Sequence, residues 1–129
     1  MTATKHAMDL SAAAAEAAAD KLARDIVAFD VSEQLVLTDV FLICSAANDR
    51  QVRAVVDAVQ ERLLLLGAKP VRREGEQQAR WVLLDFADIV VHVQHEEERV
   101  FYALERIWSD CPVLPLPTTP WDRSVREQR

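Results

Sequence analysis

Glycine is scarce in this 129-residue sequence, which contains only Gly67 and Gly75. Loops that cradle phosphate groups use glycine so that backbone N–H groups can close on the ligand. The segment 45–49 follows a predicted strand and precedes a predicted helix, where such a loop would lie, but it has no glycine. The sequence therefore argues against a nucleotide-binding loop.

Cysteine is equally scarce. Cys44 lies in an apolar run, Cys111 precedes a proline, and no Cys-x-x-Cys motif occurs. Two such residues do not make a disulfide scaffold, so a reducing cytoplasm is the expected location. A thiol in apolar surroundings stays protonated, and we expect Cys44 to pack in the core rather than act as a nucleophile.

A metal centre is not expected either. His92, His95 and Glu96 are close in sequence, but side chains at positions 92 and 95 of a continuous strand point to opposite faces. Zinc needs three or four converging ligands. We predict neither a metal nor another cofactor.

Long apolar runs are also missing, because no stretch approaches the roughly 18 consecutive apolar residues of a membrane span. Half of the residues are nevertheless apolar and 28% are charged. Chains of about 100–200 residues usually build one domain. These features predict one water-soluble domain with a single core and no membrane partner.

Positive charge is in deficit, with 15 Lys and Arg against 21 Asp and Glu, a net charge of −6. Nucleic-acid binding depends on neutralising phosphates. An acidic chain therefore argues against DNA as a partner and leaves any RNA contact peripheral. A basic protein is a better match, because complementary fields speed encounter and fix orientation.

The pattern of apolar residues predicts alternating helices and strands. The clearest start is Asn48, an N-cap followed three residues later by Gln51. Gly67 sits where a left-handed helix end is favoured. The predicted elements are a helix over 11–24, strands over 26–31 and 40–44, a helix over 49–66, strands over 70–74, 81–85 and 89–94, and a helix from 96.

This order predicts an α/β fold, a single domain with a mixed five-stranded sheet flanked by helices. The last helix should bury a stripe formed by Val100, Leu104, Ile107 and Trp108. Four prolines fall within positions 112–120 and prevent regular structure there. We expect a disordered segment over 1–9, the folded domain over 10–110, and an extended proline-rich tail over 111–129.

The predicted hairpin has two unlike faces. Alternation places Val82, Leu84, Ile89, Val91 and Val93 on a wholly aliphatic face that belongs in the core. The opposite face mixes apolar and polar side chains, namely Trp81, Leu83, Asp85, Val90, His92 and Gln94. A large aromatic anchor with a polar rim is typical of protein interfaces. A helix of the same chain or a second subunit could equally cover this face.

Seven segments in order resemble the Iojap-like ribosomal silencing factors: 37–41 (LTDVF), 48–52 (NDRQV), 73–76 (REGE), 81–85 (WVLLD), 88–93 (DIVVHV), 96–99 (EEER) and 101–108 (FYALERIW). The resemblance implies a small fold similar to nucleotidyltransferases and a homodimer. It also implies binding to the fourteenth large-subunit ribosomal protein, which blocks subunit association and represses translation under nutrient limitation. No catalytic step is implied.

In this interpretation Trp81 and Leu83 form an apolar anchor, and Glu74, Asp85 and Asp88 meet basic side chains of the partner. Phe86 and His92 complete the expected partner-binding set. The alternative hypothesis is a nucleotidyltransferase-like enzyme that uses nucleotide and magnesium, suggested by the fold resemblance alone.

The sequence departs from the family pattern at three positions. Ala46 and Ala87 stand where glycine is usual, and Gln94 replaces a frequent phenylalanine. Alanine disfavours positive φ, so we expect altered backbone angles at these turns.

Overall fold

A computed structural model describes residues 2–118. The elements follow the predicted order: α1 (Lys5–Asp20), β1 (Arg24–Asp30), β2 (Val40–Ala46), α2 (Asp49–Leu65), β3 (Arg72–Glu74), β4 (Trp81–Asp85), β5 (Ile89–His95) and α3 (Glu96–Tyr102), with a 3-10 turn at Leu104–Arg106.

The five strands form one sheet in the order β1-β2-β5-β4-β3. β2 and β5 are parallel, and the other neighbours are antiparallel. The predicted mixed five-stranded α/β fold is thus confirmed. Its likeness to nucleotidyltransferases stays an expectation.

The main core lies between one face of this sheet and helices α1 and α2. α2 buries one apolar side in this core, with Val52, Val55, Val59 and Leu63 inaccessible to solvent. α1 contributes mostly alanines, whose small side chains add little bulk between helix and sheet. α2 begins at the predicted cap, where Asn48 Oδ1 accepts a hydrogen bond from the Gln51 N–H at 2.9 Å.

The first helix begins earlier than predicted, at Lys5 rather than residue 11, and ends at Asp20. Thr4 caps it, because its Oγ1 accepts a hydrogen bond from the Ala7 N–H at 3.1 Å. Two carboxylates anchor the residues before the helix: Asp30 accepts from the Ala3 N–H and Asp39 from the Thr4 N–H. The expectation of disorder over 1–9 is therefore wrong for residues 5–9, which are helical.

The last helix differs from its prediction because it stops at Tyr102. Ala103 adopts a left-handed backbone conformation with φ of 45°, which changes the side that later residues present to the sheet. Leu104 and Trp108 are partly buried as predicted, but Val100 and Ile107 are exposed. Arg99 and Glu105 are buried instead and form an ion pair at 3.1 Å.

The stretch 112–114 lies extended along the outer edge of β1. The Asp30 N–H donates to the Pro112 carbonyl and the Leu114 N–H donates to the Ala28 carbonyl, each at 2.8 Å. Val113 pairs with Phe29 in an antiparallel bridge. The rest of the predicted tail, residues 119–129, lies outside the described part of the chain.

Gly75 precedes β4 in a turn that a side chain would not fit. Its φ is +83°, and an added Cβ would lie 2.0 Å from the Trp81 carbonyl oxygen. We expect Gly75→Ala to lower the free energy of unfolding by at least about 2 kcal/mol, because backbone must move to relieve the clash. Gly67 provides a matched control: its φ is +80° but nothing lies within 4 Å of an added Cβ.

Gly67→Ala should therefore cost only about 1 kcal/mol, the penalty of the left-handed conformation. Urea denaturation of both variants measures the difference. Equal losses in the two variants would show that contact with β4 does not constrain Gly75.

Candidate partner-binding face

The sheet face opposite α1 and α2 carries the candidate site. In β4 the burial alternates as predicted: Val82 and Leu84 are buried in the main core, whereas Trp81, Leu83 and Asp85 on the other face are half-buried. Arg72 and Glu74 of β3 pair with Asp85 and Leu83. We call these five residues of β3 and β4 the hairpin face.

The rest of this sheet face is covered by the chain itself. α3 packs against β5 and β2. Leu104 and Trp108, which follow α3, pack against a second, smaller group of buried apolar side chains that includes Phe29 and Ile43. Because α3 has only seven residues, it reaches only the border of the hairpin face, where Tyr102 contacts Trp81. A helix of the same chain thus covers part of the mixed face and leaves part of it accessible.

Trp81 lies at the border between the covered and accessible regions. Its indole Nε1–H donates a hydrogen bond to His92 Nδ1 at 3.1 Å. The ring of Tyr102, at the end of α3, lies 4.9 Å from the indole, centroid to centroid. Trp81 is therefore partly covered by its own chain, and part of the ring remains accessible.

Aromatic contacts continue from Trp81 in both directions. His92 lies 5.1 Å from Phe41, and Phe41 lies 4.9 Å from Trp108 in an edge-to-face arrangement. On the other side Tyr102 contacts Phe101 at 4.9 Å. Both ends of this series belong to the segment 101–108, so the aromatic rings fix that segment to the sheet.

His92 is buried, with 4% of its surface exposed. Burial lowers its pKa from 6.5 to about 4, because the charged imidazolium is poorly solvated there. Since Nδ1 accepts the indole hydrogen bond, the neutral ring carries its proton on Nε2. Nε2 has no hydrogen-bond partner within residues 2–118.

Arginines offset part of the acidic charge around the hairpin face. Arg72 contacts Glu74 at 3.1 Å and Asp85 at 3.9 Å. Arg80 contacts Glu97 at 3.1 Å and Glu98 at 2.9 Å. Four carboxylates thus contact two arginines, so the region keeps a negative balance.

The structure does not bring all the predicted residues to the hairpin face. Phe86 is 5% exposed and packs in the main core, and His92 is 4% exposed in the middle of the sheet. The assignment of both as contact residues is therefore corrected. Asp88 lies at the β4–β5 turn, where its carboxylate is 3.7 Å from His6. Ala87 in that turn has a φ of 71°, so alanine adopts here the left-handed angle usual for glycine.

Sequence reasoning missed Tyr102 and Phe101 as neighbours of the site. The sequence predicted a longer α3 whose buried stripe included neither residue. The helix instead ends at Tyr102 and leaves both rings exposed. The aromatic pair directly before an alanine gave no recognised signal of a helix end.

Other chemistry finds little support in the described residues. Cys44 is buried, and its pKa is raised to about 12 by burial, which makes the thiol unreactive. Within residues 2–118 no group of three or more His, Cys, Asp or Glu side chains is placed to hold a metal ion. In the same part of the chain, none of the helices has the length and apolarity needed to cross a membrane.

The low pKa of His92 predicts a pH-dependent stability. As the pH falls below 6.5, His92 becomes protonated in the unfolded chain, whereas in the folded protein it stays neutral until about pH 4. Stability is thus lost as the pH falls through this window, by about 2 kcal/mol at pH 5 relative to pH 7.5. Urea denaturation at both pH values should show this loss in the wild type and not in His92→Asn. Equal pH dependence in the two proteins would contradict the assignment.

Comparison with known proteins identifies the family. A sequence model described as "Ribosomal silencing factor during starvation" matches residues 4–129. Ribosomal silencing factor RsfS of Bacillus subtilis is 42% identical over 103 residues, covering 80% of this chain and 87% of that protein.

A crystal structure of a Chromobacterium violaceum protein superposes with a TM-score of 0.76 at 33% identity, covering 79% of this chain and 85% of that one. A mouse protein named "Mitochondrial assembly of ribosomal large subunit protein 1" is 31% identical, covering 67% of this chain and 40% of that protein. The resemblance stated from the motifs is confirmed, and the chain belongs to the family of ribosomal silencing factors.

Proposed function

We propose that this protein binds the fourteenth large-subunit ribosomal protein through its hairpin face and thereby prevents the small subunit from joining. Translation in the cytoplasm is then repressed under nutrient limitation. The protein acts by occupying a surface, without a chemical step. The single observation that carries this proposal is a partly accessible indole, Trp81, on a sheet face that the chain leaves half covered, in a region where carboxylates outnumber arginines.

The apolar part of the hairpin face supplies the anchor. A tryptophan side chain buries about 150–250 Å² when fully covered. Tyr102 already covers part of Trp81, so covering the remainder contributes about 2 kcal/mol at 25 cal/mol per Å². Leu83, half-buried beside it, extends the apolar surface that a partner can cover.

The charge of the region favours a basic partner. Arg72 and Arg80 leave the surrounding carboxylates only partly compensated. Lysines or arginines of the partner would complete this balance at the rim, which speeds association more than it raises affinity. The name of the mouse relative links that protein to assembly of the ribosomal large subunit, which further supports the large subunit as the partner.

Silencing follows from mutually exclusive occupancy. A factor that binds free large subunits competes with subunit joining in proportion to its concentration relative to its Kd. No conformational change in the ribosome is required. The same hypothesis predicts that the purified protein depletes the joined-ribosome peak when added to separated subunits on a sucrose gradient.

We also propose that the protein is a homodimer, as the family resemblance implies. α3 and the following turn expose three apolar side chains, Val100, Phe101 and Ile107, at 63%, 79% and 66%. A second copy would remove this surface from water. Sedimentation equilibrium measures the mass in solution, and a monomer at micromolar concentration would contradict the dimer.

Replacing the anchor provides the main test of the ribosomal interface. We expect Trp81→Ala to weaken large-subunit binding by about 2 kcal/mol, roughly 30-fold, because the apolar centre of the interface is lost. Co-sedimentation with purified large subunits measures the affinity. The same variant should fail to deplete the joined-ribosome peak.

Leu65→Ala is a matched control, since Leu65 is an exposed apolar side chain, 83% accessible, at the end of α2. It should bind as the wild type does. If Trp81→Ala keeps its fold by circular dichroism and still binds normally, the hairpin face is not the ribosomal interface.

A further inference from the structure

His92 is a polar side chain in mostly apolar surroundings. In the sheet register it lies between Leu83 of β4 and Ile43 of β2, and the Phe41 ring lies beside it. With 4% of its surface exposed, it cannot reach a docked partner. Burying an imidazole there is costly unless the polar group is used, and Nδ1 is used by the Trp81 indole at 3.1 Å.

We propose that His92 is a positioning residue that fixes the orientation of the Trp81 indole before the partner arrives. This inference rests on the proposed function, because it assigns to the ribosomal interface a residue that never touches the partner. A half-exposed indole without a hydrogen bond would occupy several rotamers. Binding would then have to order it, and each ordered side chain reduces affinity.

Tyr102 complements this role from the other side of the indole. Its ring contact with Trp81 at 4.9 Å limits tilting, but a ring contact is weakly directional, and Tyr102 is itself half exposed. The hydrogen bond to a buried, rigid acceptor on β5 defines the rotation of the indole within its plane. Preorganisation of the anchor thus comes mainly from His92.

Two substitutions separate the acceptor from the volume of the side chain. In His92→Asn the amide oxygen is the same number of bonds from Cβ as Nδ1, so an acceptor remains. In His92→Leu the site stays filled by an apolar side chain, but the acceptor is lost. Neither variant changes a residue that contacts the partner.

We expect His92→Leu to weaken large-subunit binding roughly 3- to 10-fold, the cost of ordering one side chain. His92→Asn should stay within about twofold of the wild type. The Trp81 indole N–H resonance, assigned by its absence in Trp81→Phe, should move upfield and exchange faster with solvent in His92→Leu only. Equal affinity of His92→Leu and wild type, with the fold intact, would overturn the proposal, and so would equal losses in both variants.

A double-mutant cycle tests the mechanism independently, even if His92→Leu is unstable alone. Trp81→Phe removes the indole donor, so adding His92→Leu to it should cause no further loss of binding. Losses that multiply would show that His92 acts without the indole, which overturns the proposal. The proposed function fails separately: normal binding by Trp81→Ala rejects the interface itself, whereas weak binding by Trp81→Ala with normal binding by His92→Leu rejects only the positioning role.

Discussion

The extent of α3 is the constraint on which the accessible surface depends. The helix crosses β5 and β2, ends at Tyr102, and turns at Ala103 with a left-handed backbone. The buried pair of Arg99 and Glu105 joins the helix to the turn that follows it. A buried ion pair adds little net stability but is costly to break, so it holds the chain in this bent path. A helix one or two turns longer would extend further along the sheet.

The same bend explains why the accessible region is structured rather than loose. Aromatic contacts run from Trp108 through Phe41 and His92 to Trp81 and Tyr102. Both ends of the series belong to the segment after α3 begins, so packing on the covered side supports the indole at the border. The side chains that stabilise the covered half of the face therefore also set the geometry of the exposed half.

Local signals in the sequence predicted most of the fold. Alternation separated Val82 and Leu84 from Trp81 and Leu83, and the Asn48 cap predicted the start of α2. The sequence could not give the end of α3, because a left-handed alanine carries no propensity signal and is held by tertiary contacts. For the same reason Phe86 was misplaced: the turn angle at Ala87 is set by the hydrogen bonds around it.

Both edges of the sheet are poorly suited to pairing with an additional strand. At β1 the extended stretch 112–114 already uses the carbonyl of Ala28 and the N–H of Asp30. At the other edge β3 has only three residues, all charged and exposed, a composition that discourages pairing with a foreign strand. This disfavours recognition of a partner by strand addition. Because main-chain pairing tolerates varied partner sequences, that tolerance is lost as well. Partner choice in this molecule then depends on side-chain contacts, which single substitutions can change.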